Sequence, residues 1–225
     1  LTDIFDLSFA MPFKGGFLNG STFYYRNHDV IEKLTTTGVD GIASSIFSNL
    51  GSSWLAGANA YLTYQLTRIW SVRGGGNFNY FETDNSLNIS GVGNHGLQFN
   101  TFVMSGLEFK NGFSAEMLAA YAAPQLSIQG TTRSFYTLQT TFSQPVWHKK
   151  GAVTLAVVNP FRHAVAYGTT LEGPGFSQSK TTYVPFRMVN LGFSYRFGKA
   201  GSLKQMGQKK SVKNNDLKEA DKEQF

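Results

Sequence analysis

Aromatic and aliphatic residues recur at every second position along most of this chain. In the first such segment, Phe5, Leu7 and Phe9 alternate with Asp6 and Ser8. Successive side chains of a β-strand point to opposite faces of the sheet, so this alternation predicts an amphipathic strand. No run of about 18 or more apolar residues occurs in the sequence, which excludes a transmembrane helix.

The same period of two predicts nine antiparallel strands. We place them at residues 5–13, 17–31, 53–66, 70–81, 97–110, 113–122, 134–146, 152–158 and 184–198. Two junctions carry two-residue hairpin signals, Gly15-Gly16 and Asn111-Gly112. An aromatic content of 15% and 24 glycines suit many strands joined by tight turns, so the chain is predicted to be all-β.

The connections between these strands alternate between short and long. The short ones lie near residues 15–16, 67–69, 111–112 and 147–151, and the long ones near 28–49, 82–96, 123–133 and 159–183. Barrels of the outer membrane have short periplasmic turns and longer outer loops. Most of the predicted strands also reach the length of about 9–11 residues that a tilted strand needs to cross a bilayer. The pattern predicts an antiparallel transmembrane β-barrel in the outer membrane of a Gram-negative bacterium.

The direction of the strands bears on the size of the barrel. With short turns on the periplasmic side, both the first and the ninth strand run inward. Bacterial single-chain barrels have an even number of strands, so an odd count predicts that residues 1–198 are the C-terminal part of a larger barrel. A miscount by one strand would instead give a small closed barrel. Residues 199–225 are rich in Lys, Asn, Gln, Asp and Glu, which predicts a flexible, charged periplasmic tail.

The alternation also predicts which side chains face lipid. The aromatic and aliphatic set, for example Phe193, is placed toward the bilayer, and its neighbour Ser194 toward a wet lumen. The polar residues placed on the lumen side are Gln98, Asn100, Glu108, Gln139 and Arg196. Aromatic residues near strand ends are candidates for the girdles at the two membrane interfaces. These are Trp54, Trp70, Tyr80, Phe81, Trp147 and Tyr183.

No residue is predicted to be catalytic, cofactor-binding or metal-ligating. The stretch from Gly91 to Gly96 matches G-x-G-x-x-G, but a dinucleotide site needs this motif to open a helix, and here it precedes a strand. The chain has no Cys, and it lacks the G-x-S-x-G motif of a serine hydrolase. His28 beside Asp29, and His95 in its loop, are weighed as contacts for a ligand outside the membrane. We therefore expect a protein that is not an enzyme and uses no cofactor.

The basic charge does not indicate a nucleic-acid-binding protein. The formal net charge is +6, and residues 199–225 carry seven Lys against four Asp or Glu, which accounts for +3 of it. Half of the excess therefore lies in the predicted tail, where it is a weak argument for a nucleic-acid partner. The expected surroundings are outer-membrane lipids, with no nucleic acid.

The last half of the chain resembles a known family. The stretches that carry the resemblance are Tyr121-Ala122-Ala123-Pro124, Ser134-Phe135-Tyr136-Thr137-Leu138, His148-Lys149-Lys150-Gly151-Ala152, Val158-Asn159-Pro160-Phe161 and Val189 to Lys199 with its Tyr195-Arg196-Phe197-Gly198 ending. A Lys- and Asn-rich segment, Lys209 to Asp216, follows. The series is similar to the outer membrane protein beta-barrel family of Bacteroidota, relatives of TonB-dependent receptors. The resemblance is strongest over residues 113–218.

The resemblance implies a barrel of about 22 strands, an N-terminal plug, and energy coupling through TonB by a motif upstream of this chain. It also implies uptake of a bulky nutrient such as a glycan, a peptide or a metal chelate, with a surface lipoprotein as a further partner. Substrate-binding residues are not identified, and the four long connections are where they are expected. Two other readings remain open at this stage: a plugless pore or structural barrel, and a soluble carbohydrate-binding β-sandwich.

Overall fold

A computed structural model describes residues 1–38, 40–49, 51–83, 93–173 and 175–197 of the chain. These residues form β-strands and turns, as the alternation of apolar residues predicts. The described part of the chain contains no helix that is long and apolar enough to cross a membrane. The predicted tail at residues 199–225 lies outside the described residues.

Fifteen strands follow one another along the chain. They are β1 (Thr2–Phe13), β2 (Gly16–Asn27), β3 (Ile31–Thr37), β4 (Ala43–Asn49), β5 (Ser53–Gln65), β6 (Trp70–Thr83), β7 (His95–Glu108), β8 (Ser114–Ala122), β9 (Leu126–Ser127), β10 (Gly130–Thr132), β11 (Phe135–Val146), β12 (Gly151–Val158), β13 (Ala164–Gly173), β14 (Phe176–Pro185) and β15 (Met188–Tyr195).

Nine of these strands form one antiparallel sheet. Its order is β1-β2-β5-β6-β7-β8-β11-β12-β15, so each strand of the sheet is hydrogen-bonded to the next sheet strand along the chain. Six of the nine are 12 to 14 residues long, which is about twice the usual strand length. The prediction of nine long antiparallel strands is confirmed, and their up-and-down order is that of a barrel wall.

The four short turns lie at one end of the sheet, as predicted, although two of them differ in detail. Phe13 pairs with Gly16, so the first turn consists of Lys14 and Gly15 instead of Gly15 and Gly16. Gly15 has a φ of 83°, which glycine adopts without strain. The turn at Asn111-Gly112 is wider than two residues, because the amide of Phe109 donates to the carbonyl of Phe113 across it.

The turn between β11 and β12 has an uncommon backbone. The amide of Lys150 donates to the carbonyl of Trp147 at 3.0 Å, and the two residues between them, His148 and Lys149, have φ of 53° and 67°. Positive φ at both central positions is the geometry of a type I′ turn, which favours Asn-Gly. The basic side chains His148 and Lys149 are therefore held in left-handed conformations at this end of the sheet.

Three of the four long connections fold into strands, which corrects their prediction as loops. Residues 28–49 contain the β3–β4 hairpin, residues 123–133 contain β9 and β10, and residues 159–183 contain β13 and most of β14. The last four form a second sheet of order β14-β13-β10-β9, and β3 pairs only with β4. We call these six strands the cap. The fourth connection is described only at its two ends, where β6 extends to Thr83 and β7 begins at His95.

Two predicted strand boundaries were wrong for local reasons. The second strand ends at Asn27, because Asp29 has a φ of 56° and breaks the extended backbone; Ile31 then begins β3. The ninth strand begins at Met188, because Val184 pairs with Val165 inside the cap. Because Val184 is apolar, it fitted the alternation and was wrongly assigned to the ninth strand of the main sheet.

The register aligns the exposed aromatic and aliphatic residues of neighbouring strands on one face, which we call the outer face. Phe5 lies opposite Tyr24, Leu155 opposite Leu191, and Val153 opposite Phe193. Leu7 and Leu191 are 76% and 77% exposed, and neither is covered by another described part of the chain. Few apolar side chains are buried among the described residues, so the usual core of a water-soluble domain is replaced by an apolar outer surface.

The sheet is open along both of its lateral edges in the described part of the chain. β1 pairs only with β2, and β15 pairs only with β12. Every residue of both edge strands is exposed. The remaining backbone N–H and C=O groups of these two strands are therefore available to further strands.

Candidate functional site

The outer face is an apolar surface nine strands wide. Its middle rows contain no charged residue: Val103 lies between Gly74 and Ala119, and Ala119 pairs in turn with Leu138. Contiguous apolar patches on soluble monomers rarely exceed a few hundred Å². A surface of this extent requires an apolar solvent, which for a sheet of long strands is the hydrocarbon of a bilayer.

A row of aromatic rings crosses the outer face at the end where the long connections lie. Phe5 is followed by Tyr24, Trp54, Tyr80 and His95, with ring centroids separated by 6.4, 6.2, 5.4 and 6.5 Å along the row. Amphipathic rings near the ends of membrane-spanning strands are typical of the interface between hydrocarbon and headgroups.

A second aromatic row lies at the short-turn end. Phe13 stacks on Tyr64 at 5.9 Å, and Trp147 meets Phe193 and Tyr195 edge-on at 5.3 and 5.8 Å. Trp54 and Tyr64 are ten residues apart on β5, which is about 33 Å along the strand and about 25 Å at the tilt of barrel strands. This spacing agrees with the height of the apolar band in outer-membrane barrels.

The predicted girdle residues divide into two groups. Trp54 and Tyr80 belong to the row near the long connections, and Trp147 belongs to the row near the short turns. Trp70 also lies at the short-turn end of the outer face, where its indole N–H donates to the hydroxyl of Ser105 at 2.9 Å. Phe81 and Tyr183 were assigned wrongly. Phe81 lies on the opposite face of β6, and Tyr183 belongs to β14 of the cap.

The other face of the sheet, the inner face, carries polar side chains linked by hydrogen bonds, beside apolar residues such as Phe102 and Phe135. Asn59 donates to the hydroxyl of Ser21 at 3.0 Å and accepts from Asn77 at 2.7 Å. Asn79 donates to Gln98 at 3.3 Å. All the polar residues predicted to face the lumen share this face or its continuation: Gln98, Asn100, Glu108, Gln139 and, just beyond β15, Arg196. A hydrated lumen follows from this arrangement.

Gln129 joins the two parts of the cap. Its side-chain oxygen accepts from the amide of Thr35 in β3 at 2.8 Å, and its side-chain nitrogen donates to the carbonyl of Thr35 at 3.0 Å. Its backbone carbonyl accepts from Glu172 of β13 at 2.8 Å. The side-chain amide thus makes the two bonds that a residue of an adjacent strand would make. Only 6% of Gln129 is exposed.

Each of three connections buries an apolar side chain in the cap: Leu34, Ile128 and Val165. Asn94 ties the end of the fourth connection to β9 and β10, because its amide donates to the carbonyls of Ser127 and Gly130 at 3.1 and 3.2 Å. The cap is therefore a folded unit at the end of the sheet where the long connections lie. Sequence reasoning missed Gln129 and Asn94, whose partners lie up to 94 residues away along the chain.

Replacing Gln129 with Glu is expected to loosen the β3–β4 hairpin. The substitution removes the Nε2 donor and sets a negative oxygen against the carbonyl of Thr35, at a cost of about 2 kcal/mol. Hydrogen exchange at the Thr35 amide should then accelerate about 30-fold, since 1.4 kcal/mol corresponds to a factor of ten. The matched control is Gln178→Glu on exposed β14, which should leave this exchange rate unchanged. Equal protection of Thr35 in both variants would contradict the role assigned to Gln129.

The remaining chemical candidates are dispersed. His28 lies 2.9 Å from Asp3 and not against Asp29, its predicted neighbour in a ligand site. The described part of the G-x-G-x-x-G stretch, Gly93 to Gly96, runs into β7 and so opens a strand. No cluster of three or more His, Asp or Glu side chains close enough to hold a metal ion occurs among the residues that the structure describes.

The comparison with known proteins agrees with this geometry. The sequence model of the outer membrane protein beta-barrel family matches residues 1–195, a range that contains all fifteen strands. No curated protein and no solved structure gives a significant match to the chain. The apolar outer face, the two aromatic rows and the family match together exclude a soluble β-sandwich. The chain belongs to the outer membrane protein beta-barrel family, and its place is the outer membrane of a Gram-negative bacterium.

Proposed function

We propose that the nine-stranded sheet is part of a larger barrel in a TonB-dependent receptor-like protein that takes up a bulky nutrient. The observation that carries the proposal is the pair of open edges on β1 and β15. Hydrocarbon offers no hydrogen bonds, so unpaired backbone groups on a spanning strand cost several kcal/mol each. The two open edges therefore favour completion of the sheet by additional strands, and a larger ring would enclose a wider lumen.

The polar inner face and the cap fit an uptake role. The inner face offers amides and hydroxyls to a hydrated solute, for example through Asn59 and Asn77. The cap gives the mouth a fixed shape, which a selective receptor needs more than a general pore does. A plug and a TonB-contacting segment would belong to the same protein, upstream of these strands. A surface lipoprotein is the proposed partner at the cap, where Ile46 and Phe47 of β4 are exposed.

The size of the intact protein tests the larger barrel. An antibody against residues 199–225 should detect a heat-modifiable outer-membrane band of about 80–110 kDa, the size of a plug with about 22 strands. A band at the 24.8 kDa of the chain would contradict the proposal and indicate a small closed barrel.

A second experiment tests the mode of uptake. Deletion of the gene should abolish growth on the transported nutrient, and deletion of TonB should have the same effect. Growth that needs the barrel but not TonB would overturn the receptor assignment and favour a plugless pore.

A further inference from the structure

A cleft lies where the cap meets the main sheet. Its volume is about 470 Å³, which is in the range of small-molecule sites. One wall contains Ala122 and Phe135, which pair with each other at the long-connection ends of β8 and β11. Both residues belong to the inner face of the sheet, since Ala122 also pairs with Asn100. The cleft therefore opens onto the lumen side of the barrel wall, on the path of a solute that enters it.

The apolar part of the cleft is a pair of aromatic rings. Phe135 stacks on Tyr167 of β13 with centroids 5.6 Å apart and planes 23° from parallel. Tyr167 is 44% exposed, so part of its surface is open to a ligand. Aromatic rings in a hydrated cleft bind flat, partly apolar groups, and the C–H face of a pyranose ring is such a group.

The polar part of the cleft is a row of side chains on three adjacent strands. Thr132 of β10 pairs with Thr169 of β13, which pairs with Lys180 of β14. The three therefore lie on one face of the cap sheet, at the strand spacing of about 4.8 Å, which is close to the length of one pyranose ring. Thr182, two residues beyond Lys180, adds a third hydroxyl to this face.

The charge of the cleft has one sign. Arg133 and Lys180 both line it, and neither Asp nor Glu does so among the described residues. Arg133 donates to the hydroxyl of Thr181 at 3.3 Å, on the face of β14 opposite to Lys180, so Lys180 supplies the charge beside the threonine row. A site with a cation and no carboxylate favours an anionic ligand, because charge-assisted hydrogen bonds to a carboxylate or sulfate are stronger than neutral ones.

We propose that this cleft binds an acidic oligosaccharide, with a pyranose ring on Phe135 and Tyr167 and its carboxylate or sulfate at Lys180. The residues that line the cleft support the binding itself, and the role of the cleft in import rests on the proposed function. The shared chemistry is an anionic group on a hydroxyl-rich ring. Uronic acids and sulfated sugars are the two sources of that chemistry.

The test is equilibrium binding to the full-length protein purified in detergent. The probes are tetragalacturonate, its fully methyl-esterified form, a sulfated galactose tetrasaccharide and cellotetraose. We expect one of the two anionic probes to bind at least about tenfold more tightly than either neutral probe. The preferred anionic probe identifies the source of the charge. Equal affinity for all four probes, or binding of none, would overturn the assignment.

Two substitutions locate the binding. Lys180→Gln should weaken the anionic probe about tenfold and leave the neutral probes unchanged. Tyr167→Ala should weaken every probe that binds. The matched controls are Lys149→Gln in the turn at the far end of the sheet and Tyr183→Ala elsewhere on β14, and neither should change any affinity. Heat-modifiable mobility checks that each variant is folded. Full affinity in folded Lys180→Gln would overturn the site even if Tyr167→Ala cannot be folded.

The binding assay separates this proposal from the receptor assignment, because it needs neither TonB nor an energised membrane. Binding without TonB-dependent uptake would support the cleft and contradict only the receptor role. TonB-dependent uptake of another nutrient, with no binding of these probes, would contradict only the cleft.

Discussion

Replacing Ala119 with Arg is expected to destabilise the barrel in a bilayer. Ala119 is exposed on the outer face of β8, in the row with Val103 and Leu138, about midway between the two aromatic rows. An Arg on the lipid face at this depth costs about 2–4 kcal/mol. Folding into liposomes, followed by heat-modifiable mobility and urea titration, should show a correspondingly lower free energy of unfolding.

The neighbouring residue gives a matched control. Ala120 lies on the inner face, opposite Phe102 and Thr137, so Arg at this position enters the hydrated lumen. Ala120→Arg should change the free energy of unfolding by less than about 1 kcal/mol, the usual range for a solvated substitution. Ala119→Leu should also fold normally, since it adds bulk without charge. If Ala119→Arg and Ala120→Arg are equally stable in liposomes, the assignment of the two faces is wrong.

A methyl group at Gly57, on the inner face, is expected to destabilise the sheet. A Cβ at this position of β5 would overlap the carbonyl oxygen of Phe78 and lie 2.7 Å from the Cβ of Asn79. The obstacle is mostly the backbone of β6, which cannot move without breaking ladder hydrogen bonds. Gly57→Ala should therefore lower the free energy of unfolding by about 1–3 kcal/mol, the usual cost of overpacking.

Gly192 provides the comparison for this substitution. It also lies on the inner face, in β15, but a Cβ there would be 3.8 Å from the nearest atom, the carbonyl oxygen of Thr154. Gly192→Ala should be neutral in the same urea titration. A loss of stability in both variants would mean that glycine is needed for its backbone freedom in general and not for the approach of β6 to β5 at Gly57.

The period-2 pattern was sufficient to predict the main sheet, because a bilayer requires alternating apolar residues on every strand that crosses it. Every strand that crosses hydrocarbon must present apolar residues to lipid and can present polar ones to water, as Phe193 and Ser194 do. The same physical constraint made the short turns visible, since Lys14-Gly15, Asn111-Gly112 and His148-Lys149 interrupt the alternation. The faces, the order of the strands and one end of the barrel could therefore be predicted from the sequence.

The cap strands carry no such signal. β3 and β14 have hydroxyl residues at consecutive positions, such as Thr35 and Thr36 or Thr181 and Thr182, because neither face of these strands meets lipid. Without a difference between the two faces there is no alternation to read. Ile31 and Val184, which are apolar, were drawn into the neighbouring long strands for the same reason.

The cleft could not be predicted because its parts come from distant segments. Phe135 follows one long connection, whereas Tyr167 and Lys180 lie on the two strands of another. Each residue taken singly is an ordinary strand or loop residue. Their meeting depends on the pairing of β10 with β13, which joins the two connections across the mouth of the sheet. The sequence predicted that ligand contacts lie in the long connections, but it did not rank them.

The cap hairpins have a consequence for the order in which the sheet assembles. Residues 28–52 separate β2 from β5, and the bond between the amide of Val30 and the carbonyl of Gly51, 2.8 Å long, closes most of this segment upon itself. Shortening an effective loop from about 25 residues to about 4 lowers the entropic cost of closure by about 1.6 kcal/mol. The bond from the amide of Phe186 to the carbonyl of His163 does the same between β12 and β15. If these hairpins fold early, β2 and β5, and likewise β12 and β15, come together across a short effective loop. Pairing of the sheet strands would then begin at these two junctions and extend to the neighbouring strands.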